Sequence, residues 1–171
     1  MSTTARRFEV STNVAINILA LLLGIGVIKG QLWPRNKAKS EGQQPMIHSG
    51  AKLSLTDVDW AQNGRTLLIV ISTDCNYCSD SAAFYREIIN KRQNENLKVI
   101  AVLPQDAKRG REYLKDLALA VDEVKQVTLK SIQISATPSL VLVDSTGEIK
   151  DVWVGKLPRD KESEVLSKIF A

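Results

Sequence analysis

Cys75 and Cys78 are the only cysteines in this 171-residue chain, and only Asn76 and Tyr77 separate them. They stand where an apolar run gives way to a helical pattern. A thiolate at the start of a helix is stabilised by free backbone N–H groups, so it can attack at neutral pH. A second thiol so close in sequence can then close a disulfide, and reversible disulfide chemistry is therefore the leading hypothesis.

Two other uses of the pair stay open. A tetrahedral zinc site needs four Cys or His ligands, and the rest of the chain offers one histidine, His48, and no further cysteine. A structural disulfide would close a very small loop, so it would stabilise the fold little. The ligand count predicts no metal, and the loop length favours catalysis over a structural bridge.

Composition and charge are those of an ordinary globular domain with an appendage. Hydrophobic residues make up 44% of the chain and charged residues 25%, which suits a packed core. The formal net charge of +4 comes entirely from residues 1–45, so residues 46–171 are formally neutral. A neutral domain lacks the broad basic surface that nucleic acids require, and we expect no nucleic-acid partner.

The N-terminal region is predicted to comprise a tail (1–13), a transmembrane anchor (14–30) and a polar linker (31–50). Its apolar core of fifteen residues would span about 22 Å of a hydrocarbon layer about 30 Å thick. Flanking residues, with Lys29 extending toward the headgroups, bring the segment close to spanning length. A cleaved signal peptide is the alternative, but no pair of small residues stands at the required distance after the run. A lipid bilayer is therefore an expected partner.

Short strands and helices alternate beyond the linker. We predict strands at 52–55, 65–71, 97–103, 139–143 and 149–154, and helices at 79–92, 107–120 and 160–170. The first of these strands is a short edge strand, and the last two form an antiparallel hairpin. The cysteine pair falls at the turn between the strand at 65–71 and the helix that follows it.

This order, together with Thr137-Pro138 directly ahead of a strand, resembles the thioredoxin-like superfamily. Within it the chain is most similar to membrane-anchored TlpA-like or redoxin-like thiol–disulfide oxidoreductases, over residues 51–171. A C-x-x-C motif alone is weak, but the motif at a strand end combined with a later Thr-Pro is much more specific. The resemblance implies an α/β fold, a central mixed β-sheet flanked by helices, preceded here by the N-terminal transmembrane helix.

The same resemblance implies roles for the site residues. Cys75 would attack a substrate disulfide and Cys78 would resolve the mixed disulfide, with no cofactor. The Thr137–Pro138 bond would be cis, and this loop would pack against the pair and support an extended substrate. Tyr77 would either present a surface to substrate or stand beside the site as a simple exposed ring.

Two positions depart from the family pattern. Asp74 stands where many thioredoxins carry Trp, and Ile69 stands where they carry a buried acid. The proton acceptor for the resolving thiol is therefore unassigned, and Asp74 and Asp80 are the nearest candidates. Each could equally be a helix-capping or surface carboxylate. An anion beside Cys75 would oppose formation of its thiolate.

The sequence thus predicts a membrane-tethered thiol–disulfide oxidoreductase that reduces extracytoplasmic protein disulfides, in the periplasm or at the cell exterior. Its partners would be protein or small-molecule disulfides and dithiols and an electron-exchange partner. The count of basic residues around the anchor favours the opposite orientation, whereas disulfide chemistry and the resemblance favour this one. The alternatives are a disulfide-forming oxidase, a peroxide-reducing redoxin, for which the Thr73-x-Cys75 spacing is wrong, and a non-catalytic binding module.

Overall fold

A computed structural model describes residues 47–171. Five strands and five helices lie in this part of the chain, and two single 3₁₀ turns lie at Arg92–Asn94 and Leu129–Ile132. The strands are β1 (Arg65–Val70), β2 (Leu97–Leu103), β3 (Glu123–Gln126), β4 (Ser139–Val143) and β5 (Ile149–Val154). The helices are α1 (Trp60–Asn63), α2 (Asn76–Asp80), α3 (Ala82–Lys91), α4 (Ala107–Asp116) and α5 (Arg159–Ile169).

The strands form one mixed sheet in the order β3-β2-β1-β4-β5. β1 pairs in parallel with β2, and β2 in parallel with β3, whereas β4 runs antiparallel to β1 and β5 antiparallel to β4. The predicted central mixed sheet flanked by helices is confirmed.

Both faces of the central strand are buried. Leu67 and Ile69 point into a core formed with α3, α4 and α5, and Leu68 and Val70 point into a second core on the opposite face. The second core is closed by irregular segments around residues 47–60 and 127–134 rather than by long helices. A strand covered on both sides reads as a continuous apolar run, which is why β1 was predictable from sequence.

Three predicted elements differ from the structure. The predicted edge strand at 52–55 is wrong, because only Lys52 forms a bridge, to Glu148, while Leu53 and Leu55 are buried beneath the sheet. The predicted helix at 79–92 begins earlier and is interrupted at Ser81, which separates α2 from α3.

The helix predicted at 107–120 ends at Asp116, because Ala118 takes a left-handed backbone conformation with φ of 54°. Sequence reasoning also missed β3. That strand has four residues and lies at the sheet edge, and its charged side chains Glu123 and Lys125 pair with one another, so it lacks the apolar run that marks the other strands.

The predicted tail and transmembrane anchor lie outside the described residues, as does the linker up to residue 46. Within residues 47–171, no helix has the length and apolar character needed to cross a membrane. The last residues of the predicted linker are hydrogen-bonded to β5 and to the segment before β4. Ile47 N–H donates to the Gln133 carbonyl at 3.2 Å, and Gly50 N–H donates to the Ile149 carbonyl at 2.8 Å.

Candidate active site

The cysteine pair lies where β1 leaves the sheet and α2 begins. Cys75 is the N-cap of α2, with an extended backbone, and its Sγ accepts a hydrogen bond from the Cys78 N–H at 3.2 Å. A sulfur therefore takes the place that an Asp or Ser oxygen takes at many helix starts. The strand fixes where the loop emerges, and the helix fixes the direction of the sulfur.

Cys75 and Cys78 are joined by a disulfide, with their Cα atoms 5.4 Å apart. Cys75 is partly exposed, whereas Cys78 is fully buried among apolar side chains of the helix-covered core. After reduction, a substrate can reach only the Cys75 sulfur. This difference in access matches the attacking and resolving roles predicted for the pair.

The loop before β4 lies against the pair. The Thr137–Pro138 peptide bond is cis, as the resemblance implies, and the Thr137 carbonyl oxygen is 3.4 Å from Cys75 Sγ. The antiparallel register places Ser139 opposite Val70, so the start of β4 meets the end of β1. Residues far apart in sequence are in this way brought to one end of the sheet.

A shallow groove of about 620 Å³ borders the pair on the side of Tyr77. Its lining, which is mostly carbon, comes from Tyr77, Ala136, Thr137, Gly155, Lys156, Leu157 and Pro158. Tyr77 is 63% exposed, and among the large hydrophobic residues of 47–171 only Val154, at 44%, is also exposed. The groove joins the helix that bears the pair, the cis-proline loop and the segment after β5.

The two candidate proton acceptors are both held by cations. Asp74 Oδ1 lies 2.8 Å from Arg109 Nη2, and Asp80 Oδ2 lies 2.8 Å from Lys156 Nζ. Both carboxylates are more than half exposed, and neither forms a hydrogen bond with a sulfur atom in the described part of the chain. Their proton-accepting role stays a prediction.

Within residues 47–171, no Asp or Glu side chain is buried beside Cys78. Ile69 is fully buried and lies in the same apolar core as Cys78. Tyr85 lies in that core too, and burial raises the pKa of its phenol, so it is neutral at ordinary pH.

Sequence reasoning missed two residues that touch the loop before Cys75. Gln105 and Arg109 come from the end of β2 and the start of α4, and both bind the Asp74 carboxylate. The ends of neighbouring parallel strands meet at one edge of a sheet, so the polar residues after β2 were a detectable signal. As for metals, no three potential His, Cys, Asp or Glu ligands converge within residues 47–171.

Comparison with known proteins decides the family. The sequence model of the redoxin family matches residues 37–169. The chain belongs to the redoxin family. With its C-x-x-C pair and thioredoxin-like fold, this redoxin is a thiol–disulfide oxidoreductase. No curated protein matches the chain in sequence.

Solved structures share the fold of this redoxin at low sequence identity. The thioredoxin domain of a thiol-disulfide oxidoreductase from Bacteroides vulgatus superposes with a TM-score of 0.57 and 14% identity, over 73% of this chain and 99% of that one. A thioredoxin-family thiol:disulfide interchange protein from Chlorobium tepidum gives 0.55 and 12%, over 73% and 98%. A thiol-disulfide isomerase from Corynebacterium glutamicum gives 0.54 and 14%, over 75% and 97%. At this identity the likeness establishes the fold alone.

Proposed function

We propose that the protein is a membrane-tethered reductase of extracytoplasmic protein disulfides, with Cys75 as the attacking thiol and Cys78 as the resolving thiol. One observation carries the assignment of roles. The two sulfurs are bonded, yet only Cys75 is accessible, and it lies beneath the carbonyl of the cis-proline loop.

The reaction is a two-electron exchange. The Cys75 thiolate attacks one sulfur of a substrate disulfide, a mixed disulfide forms, and the other substrate sulfur leaves as a thiolate. Cys78 loses its proton and attacks Cys75 Sγ, which expels the second substrate sulfur. The substrate is then a dithiol and the enzyme carries the Cys75–Cys78 disulfide. A dithiol electron donor returns the pair to its reduced form by the reverse exchange.

The groove favours a polypeptide over a small thiol as substrate. Glutathione needs little more than access to one sulfur, whereas the apolar lining beside Tyr77 and Thr137 extends well beyond Cys75. An extended peptide could lie along it with its cysteine over Cys75 and an apolar side chain in the groove.

The tether and the extracytoplasmic location rest on the sequence. The apolar segment at 14–30 provides the anchor, and the predicted chemistry suits a compartment in which disulfides persist. A disulfide-forming oxidase would use the same residues in the opposite direction, so the redox potential of the pair decides between the two.

The assignment of roles can be tested by trapping. Full-length Cys78→Ser protein in detergent, after reduction, should form a stable mixed disulfide with an unfolded, disulfide-containing protein, because no resolving thiol remains. Cys75→Ser is the matched control and should trap nothing, since its remaining thiol is buried. Equal trapping by both variants would refute the assignment.

Titration of the wild-type pair against glutathione buffers gives its reduction potential, which decides whether the protein reduces or forms disulfides. A potential at the thioredoxin end of the range supports the reductase, and one at the oxidising end supports the oxidase instead.

A further inference from the structure

The carboxylate of Asp74, the residue next to the attacking cysteine, is turned toward α4. Its Oδ1 accepts from Arg109 Nη2 at 2.8 Å and from Thr73 Oγ1 at 3.2 Å. Its Oδ2 accepts from Gln105 Nε2 at 3.3 Å. Both oxygens therefore have partners away from the cysteine pair.

Gln105 ties the same loop down at further points. Its Nε2 also donates to Ser72 Oγ at 2.9 Å, and its Oε1 accepts from the Thr73 N–H at 3.4 Å. Ser72 Oγ in turn accepts from the Asp74 N–H at 3.3 Å. The three residues before Cys75 are thus held by side chains that follow β2, and α4 determines where the Asp74 charge lies.

The position of this charge matters because the attacking sulfur must become an anion. Cys75 Sγ receives one hydrogen bond, from the Cys78 N–H. A carboxylate swinging toward the sulfur would repel the thiolate and compete for that donor. Without Arg109 and Gln105, the Asp74 side chain is free to do so, because it is 68% exposed.

We propose that Arg109 is a positioning residue: with Gln105 it holds the Asp74 carboxylate away from Cys75 and so lowers the pH at which Cys75 becomes nucleophilic. The inference rests on the proposed function, in which Cys75 is the attacking thiol. It concerns a position at which this chain departs from the family pattern. The residue before the first cysteine is Asp74, and its negative charge would oppose the thiolate if it were not held away.

The other charged residues around the cysteine pair are the same in all the variants compared below. Beside Arg109 they are Asp106, which is the N-cap of α4, and Lys108 in the first turn of α4. On the other side they are Asp80 and Lys156, which pair with each other. The loop at residues 136–138 carries no charge.

Two ways in which Arg109 could act predict different results. If its positive charge acted directly on the thiolate, its effect would be the same with or without Asp74, since Coulomb contributions add. If it acts by positioning Asp74, its effect disappears when Asp74 is neutral. The direct contribution is small, because the Arg109 side chain is 56% exposed and solvent screens it.

The test is a double-mutant cycle in the full-length, reduced Cys78→Ser protein. The rate of Cys75 alkylation by iodoacetamide is measured against pH for the parent, Arg109→Gln, Asp74→Asn and the double variant. Arg109→Gln should move the midpoint of the profile to higher pH and slow alkylation at neutral pH about threefold. The double variant should match Asp74→Asn.

Arg111→Gln is the matched control, because it removes the same charge from an exposed position on the same helix. It should leave the profile unchanged. An equal effect of Arg109→Gln with and without Asp74, or no effect at all, would overturn the inference while leaving the proposed function intact. A parent protein in which Cys75 is not alkylated at any pH would instead remove the proposed function, and the inference with it.

Discussion

The two sulfur atoms of the pair differ in what can reach them. Cys75 is partly exposed at the start of α2, and Cys78 is buried one helical turn further in. Between them the Tyr77 ring extends into solvent beside the groove. An exposed aromatic ring next to a reactive sulfur offers contact area for a substrate with little loss of side-chain entropy.

Tyr77→Ala should weaken the reaction with a protein disulfide and spare the reaction with a small one. Loss of one aromatic contact should lower kcat/KM for a disulfide-containing protein about fivefold. The rate of reduction of the pair by dithiothreitol should stay unchanged, because dithiothreitol does not fill the groove. Tyr77→Phe keeps the ring and should behave as the wild type. An equal loss with both reactants would mean that the ring supports the pair itself.

At this scale the sequence predicted the site residues that are recognisable from their neighbours along the chain. The cysteine pair and Thr137-Pro138 are recognisable from residue type and order alone. The partners of Asp74 are not, because Arg109 lies 35 residues away and only the parallel pairing of β1 with β2 brings them together. Asp74 therefore looked like a free anion beside the thiol, whereas the fold pairs it with Arg109.

At the scale of elements, the turn between β4 and β5 is stabilised by hydrogen bonds to the Asp144 carboxylate. The Asp144 carboxylate accepts from the Thr146 N–H at 2.8 Å and from the Glu148 N–H at 3.0 Å. Hydrogen bonds from the Thr146 hydroxyl and from Lys150 hold the pKa of Asp144 below its usual range. Gly147, in the same turn, has φ of +77° and lies against the ring of Trp60 in α1.

Gly147→Ala should cost more stability than the same change at Gly50. Both glycines have positive φ, so each alanine carries a backbone penalty of about 1 kcal/mol. At Gly147 the new Cβ would also lie 2.9 Å from Trp60 Cδ1, whereas at Gly50 it would meet nothing within 4 Å.

Urea unfolding of the two variants measures the difference. We expect losses of about 1 kcal/mol for Gly50→Ala and more than about 2 kcal/mol for Gly147→Ala. Equal losses would mean that Trp60 moves aside without cost.

The elements that sequence reasoning found are those with a strong apolar pattern. β1, β2 and β4 are buried along nearly their whole length, and each contains at least four consecutive apolar residues. β3 has no such run, since its residues are only half-buried at the sheet edge. The break at Ser81 and the early end of α4 depend on local backbone conformation, which apolar spacing does not encode.

At the scale of the whole molecule, charge separates the two parts of the sequence. Residues 1–45 carry the entire net charge of +4, and the remainder is formally neutral. A neutral domain is neither attracted to nor repelled by an anionic membrane surface. In the proposed tethered arrangement, an anionic membrane surface would act on Arg35, Lys37 and Lys39 of the predicted linker rather than on the net charge of the domain.

The proposed location can be tested by accessibility of single cysteines in intact bacterial cells. In the full-length Cys78→Ser protein, a membrane-impermeant maleimide should label Cys75 without lysis of the inner membrane. Ser2→Cys in a Cys75→Ser, Cys78→Ser background is the matched control and should be labelled only after lysis. The reverse pattern would place the domain in the cytoplasm, and recovery of a shortened chain in the soluble fraction would indicate cleavage of the N-terminal segment.

Because Cys75 Sγ caps α2, the stability of this helix depends on the redox state of the cysteine pair. An N–H bonds more strongly to a thiolate than to a disulfide sulfur, so the Cys78 N–H stabilises α2 most when the pair is reduced. By thermodynamic linkage, any free energy that the reduced form gains in this way raises the reduction potential by the corresponding amount. The first turn of one short helix thus favours the reduced form of the pair, which makes reduction by the electron donor easier and transfer of electrons to a substrate disulfide correspondingly less favourable.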